Sequence, residues 1–68
     1  MVNANLFRAK MVEAGYSQRR LAADIPMAEN TLGSKINGRG YFNTAQVERI
    51  CLLLKITDPV EKCKIFLS

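Results

Sequence analysis

A chain of 68 residues with 49% hydrophobic content is long enough for one small folded domain and too apolar for a disordered tail. It contains no apolar run of about 18 residues, which excludes a membrane-spanning helix, and with two Cys and no His it lacks the ligands for a structural zinc site. The formal charge of +4 is uneven: residues 1–40 carry six Lys/Arg against three Asp/Glu, residues 41–68 four against three, so the basic excess sits in the first part.

The opening segment, MVNANLFRAK, is polar and charged at short intervals, the wrong composition for a signal peptide, and a cytoplasmic protein is expected. Asn3 or Asn5 can cap a first helix running to about Ala14. Ala4, Phe7, Met11 and Ala14 recur at helical spacing and should enter the core, with Arg8 and Glu13 pointing elsewhere. Gly15 is placed to end this helix in the left-handed conformation, with Tyr16 packing back over it. The helix reads as scaffold.

Ser17 is an N-cap for a second helix over about 17–24, with Leu21 and Ala22 inward and Arg19 and Arg20 outward. The steric demand of Pro26 should push Ile25 out of the helical region and end the helix there. A third helix is expected from about Ala28 to Asn37, with Thr31, Leu32 and Ile36 on its inner side and Glu29, Asn30 and Ser34 on the other. The small Ala22 would let the third helix cross the second closely and project outward.

Gly38-Arg39-Gly40 is a turn with one cation, and Phe42 should anchor it to the core. Asn43 and Gln46 form a capping box for a fourth helix whose Val47, Ile50, Cys51 and Leu54 read as core. Asp58 and Pro59 start a fifth, as N-cap and first residue. The apolar Val60, Cys63, Ile65, Phe66 and Leu67 must pack on the bundle, on another subunit, or on both. Cys51 and Cys63 are expected as buried, reduced thiols. The expected fold is all-α: a compact bundle of about five short helices, a single domain over 1–68, with a central helix-turn-helix.

That central stretch stands as Ser17-Gln18-Arg19-Arg20-Leu21-Ala22, then Ala28-Glu29-Asn30-Thr31-Leu32-Gly33, then Lys35-Ile36-Asn37-Gly38. It resembles the helix-turn-helix of the lambda-repressor-like family of Cro proteins and phage repressors, whose pattern is roughly T-Q-x-x-L-A, a turn, S-x-x-T-[IL]-S and a closing N-G or R-G. The resemblance covers about residues 5–56. It implies a DNA-binding regulator of phage or mobile-element type, a Cro-like repressor that binds an operator as a homodimer, with the helix at 28–37 in the major groove. Glu29, Asn30 and Ser34 match positions that reach base edges. Gln18 and Asn37 match phosphate contacts, Gln18 also bracing the recognition helix. Ser17, Arg19, Arg20, Lys35, Arg39 and Tyr41 complete the expected phosphate-facing set. The chemistry suits these roles: Asn pairs with adenine in a bidentate way, Glu accepts from the cytosine amino group, and Arg and Lys neutralise phosphates without reading sequence.

The departures from the pattern are specific. Pro26 stands where the family usually has Gly, so the turn must be built differently. Ala28 replaces the usual Ser cap, at a cost of about 1 kcal/mol. Gly33 replaces Ser inside the third helix, a loss of about 1 kcal/mol against Ala that points to a close approach by DNA or protein. Lys35 sits where many members have an apolar residue. Many members also link the first and third helices by an Arg-Glu pair; the matching positions are Met11 and Ile36, so a hydrophobic contact is expected in its place. These departures leave a second reading open: a protein-interaction module on the same fold, acting on a phage repressor as anti-repressor or co-repressor, or as an antitoxin. With no His, no paired acid/base spacing, no nucleotide loop and no nucleophile motif, no enzyme and no cofactor are expected.

Overall fold

The computed structural model describes residues 2–67, and every regular element among them is helical: α1 (Ala4–Ala14), α2 (Gln18–Asp24), α3 (Glu29–Ile36), α4 (Thr44–Leu53) and α5 (Pro59–Phe66). The all-α fold read from the sequence is the observed one. Among the described residues no helix is long and apolar enough to cross a membrane.

Local chemistry sets most boundaries. The side chains of Asn3, Ser17, Asn43 and Asp58 each accept from a first-turn N–H, satisfying one of the donors a helix start leaves open. At Asn43 the box is complete: its Oδ1 accepts from the Gln46 N–H at 2.8 Å, and Gln46 Oε1 accepts from the Asn43 N–H at 3.0 Å. Three helices end in the same left-handed closure. After α1, Gly15 lies at φ 75°, and the Tyr16 and Gly15 N–H groups donate to Met11 and Val12. After α3, Gly38 lies at φ 84°, with Arg39 and Gly38 donating to Ser34 and Lys35. After α4, Lys55 takes the left-handed place at φ 57°, with Ile56 donating to Cys51.

Phe7, Leu21, Leu32, Ile36, Ile50 and Ile65 are fully buried and bring all five helices into one core. Phe7 stacks on Phe42 at 5.8 Å, and Phe66 meets both rings edge-on at 6.0 Å, so the loop before α4 is pinned between α1 and α5. The Asn3 N–H donates to the Ile65 carbonyl at 2.7 Å, and Lys10 Nζ meets Glu61 at 2.9 Å; together they hold α5 against α1.

Three expectations are corrected. Ile25 does not leave the helical region: it keeps φ −69° and ψ −36°, donates to the Leu21 carbonyl and is buried, so core packing and the helical bond hold it in place; the Ile25–Pro26 bond is cis. Thr31 is exposed rather than inward, because Leu32 and Ile36 already fill the narrow inner stripe of a helix only eight residues long. Cys63 is exposed and Cys51 half-buried, both as free thiols; burial pushes the Cys51 thiol up from its ordinary value.

Candidate nucleic-acid interface

The bihelical unit of α2 and α3 is built around an absence of side chain. Gly33 lies under the Gln18 side chain so closely that a Cβ there would stand 2.8 Å from Gln18 Nε2. The close approach expected at Gly33 is therefore internal. Ala22, buried on α2, contributes a second small surface to the same core. With Leu32 and Ile36 fully buried, the rest of α3 is turned out: Glu29, Asn30, Thr31 and Ser34 are all exposed. Asn30, Thr31 and Ser34 lie within about 100° of one another around the helix axis and form one continuous polar face. Ala28 provides no side-chain cap, so the first-turn N–H groups of α3 have no hydroxyl or carboxylate partner from that residue. Glu29 in the first turn and Lys35 in the last both suit the helix dipole.

The expected phosphate-facing residues divide into two groups. Arg19, Arg20 and Arg39 are exposed cations. Arg20 lies over the Tyr16 ring at 5.0 Å, which restricts its swing without covering its charge. Tyr41 is 75% exposed. Others are engaged within the fold. Lys35 Nζ donates to the Tyr41 carbonyl at 2.7 Å and sits 6.0 Å from the Phe42 ring, tying the end of α3 to the following loop. Ser17 Oγ accepts from the Arg20 N–H at 3.1 Å as the cap of α2. Gln18 is occupied at both ends of its amide: Nε2 donates to the Glu29 carbonyl at 3.4 Å, and Oε1 accepts from Arg8 Nη1 at 3.4 Å. The Asn37 Oδ1 accepts from Arg8 Nη2 at 3.2 Å.

Arg8 is the residue that sequence reasoning missed. It points away from the core, as read, and from there joins α1 to the start of α2 and the end of α3. The hydrophobic pair expected at Met11 and Ile36 is present as two buried residues of one core. A polar link between the same helices exists beside it, one turn earlier on α1 and one residue later on α3. Arg8 lies three residues before Met11, on a neighbouring position of the helix surface, but that spacing names no partner on another helix.

Phe42, Thr44, Val47, Pro59, Lys62, Cys63, Phe66 and Leu67 line an open groove of about 490 Å³. Leu67 in its lining is 75% exposed, and Val60 on α5 is 60% exposed. Among the described residues no cluster of His, Cys, Asp and Glu could hold a metal ion. Compared with known proteins, the chain matches no family model, no curated protein and no solved structure.

Proposed function

We propose that the chain is a sequence-specific double-stranded DNA-binding regulator of transcription acting in the cytoplasm, with α3 entering the major groove. The observation that carries this reading is the division of α3: two fully buried anchors on one side, and Asn30, Thr31 and Ser34 as an uninterrupted exposed polar face on the other, with Glu29 at its start. Asn30, Ser34 and Glu29 read base edges. Arg19, Arg20 and Arg39 neutralise phosphates. Two copies bind an operator with half-sites about one helical turn apart. They join through the apolar groove between α4 and α5, where Leu67 and Val60 are too exposed for a finished surface.

Random-site selection on the purified protein tests the reading, since it reports site, symmetry and spacing together. If the dimer contacts about six phosphates, log affinity falls with log salt at a slope near −5. Asn30→Ala should cost about 1–3 kcal/mol at one base position and leave the rest of the site unchanged. Failure to enrich any sequence, or a flat salt response, rejects it. A monomeric mass at high micromolar concentration without DNA rejects the dimer.

A second reading, a protein-interaction module, is favoured by one observation: Gln18 and Lys35, two expected phosphate donors, each commit one donor N–H to a carbonyl inside the fold. A mobility shift that appears only when a protein partner is added supports this reading over the first.

A further inference from the structure

Arg8 is an exposed cation whose hydrogen-bond partners among the described residues are neutral. Its Nη1 and Nη2 donate to the side-chain carbonyl oxygens of Gln18 and Asn37, both neutral groups, at 3.4 and 3.2 Å. Among the described residues it forms no ion pair; Lys10 alone does so, with Glu13 and Glu61. A guanidinium has five N–H donors in a rigid fork and no acceptor. Two are used here, and the remainder project from an exposed side chain. The same geometry fixes the amide of Asn37: because Arg8 can only donate, Oδ1 must face it, which turns the Nδ2 hydrogens the other way.

We propose that Arg8, held in place by the side-chain carbonyl oxygens of Gln18 and Asn37, presents its remaining N–H donors as an anion site suited to one phosphodiester oxygen pair of a nucleic-acid backbone. The inference rests on the DNA-binding reading for its physiological ligand, but the site itself is a property of these three residues. A forked guanidinium binds a phosphate in a bidentate way, and a pre-held side chain loses less freedom on binding. The competing role is structural: a cation at the end of α3 stabilises the helix dipole there and needs no ligand.

Two measurements separate these roles. In the first, inorganic phosphate is titrated into the full chain while the Arg8 Nε–H and the Gln18 and Asn37 side-chain amides are followed by NMR. A saturable shift of all three is expected, abolished in Arg8→Gln. Arg8→Lys keeps the charge but cannot reach both carbonyls, and should bind more weakly. In the second, the salt dependence of binding to selected DNA is compared. Arg8→Gln should lower affinity about tenfold and reduce the slope of log affinity on log salt by about 0.9 per protomer. A brace without an anion site would lower the melting temperature of Arg8→Gln while leaving the phosphate titration featureless and the slope unchanged, and that result overturns the proposal with DNA binding intact. A wild-type chain that binds no DNA yet shows the phosphate shifts retains the site and loses the proposed function.

Discussion

The Gly33→Ala substitution puts the α2–α3 crossing to a quantitative test. In an unconstrained helix interior the change would stabilise by about 1 kcal/mol, because Ala loses less backbone entropy than Gly. Here the new Cβ would stand 2.8 Å from Gln18 Nε2, too close to remain. The obstructing atom is the far end of a flexible side chain, so Gln18 swings away and the backbone stays. Swinging away breaks the bonds from Gln18 Nε2 to the Glu29 carbonyl and from Arg8 to Gln18 Oε1, each 3.4 Å long and exposed. Bonds of that length lie at the weak end of the range, about 0.5 kcal/mol apiece. Gain and loss nearly cancel: stability should change by less than about 0.5 kcal/mol, and the melting temperature by less than about 4 °C for a domain of this size. In a Gln18→Ala background the obstruction is gone, and the same substitution should stabilise by the full amount of about 1 kcal/mol, or roughly 4–8 °C. The coupling between positions 18 and 33 is therefore about 1 kcal/mol, read from a double-mutant cycle of urea denaturation curves with constant slope. Equal stabilisation in both backgrounds would refute the placement of Gln18 over Gly33. A loss beyond about 2 kcal/mol in the wild-type background would show that the backbones themselves obstruct the methyl group.

Asn43→Ala removes the side-chain half of the capping box of α4 and should cost about 1 kcal/mol, seen as a fall in melting temperature; an unchanged value would mean the fourth helix does not depend on its cap. Phe7→Ala empties the centre of the three-ring cluster and should cost about 3–5 kcal/mol. That equals the whole stability expected of so small a core, so the amide spectrum should collapse toward the unfolded range; a well-dispersed spectrum would count against the cluster. Lys10 titrates above its ordinary value of 10.5, chiefly through its hydrogen bond with Glu61 and with help from the charges of Glu13 and Glu61, while burial opposes the shift. Because the folded value is the higher one, this contribution is complete below pH 10.5 and is lost as pH rises through the folded value. Stability of the wild type should therefore fall more steeply at alkaline pH than that of Glu61→Gln; parallel profiles would remove the Lys10–Glu61 contact from the account.

Much of the architecture was legible in the chain because the determinants are local. Asn3, Ser17, Asn43 and Asp58 are caps whose partners lie two or three residues away, and Gly15 closes α1 through backbone groups one turn back. Phe7, Leu32, Ile36 and Ile50 announce themselves by helical period, and the all-helical class follows from them. The exposure of Glu29, Asn30 and Ser34 was likewise readable from the positions of Leu32 and Ile36. Thr31 was misassigned because an eight-residue helix offers few turns from which to locate the centre of its apolar stripe.

The sequence by itself determined where the helices start, where they stop and most of the apolar residues they bury, since those choices are made among groups within a turn or two along the chain. Only the tertiary structure decided that Arg8 would meet Gln18 and Asn37, that Gly33 would lie under Gln18, and that Lys35 would turn back to the Tyr41 carbonyl. Those meetings depend on the angle and separation at which helices cross, which are set by the summed packing of the core, and a long polar side chain can satisfy itself with any partner that this packing brings within reach.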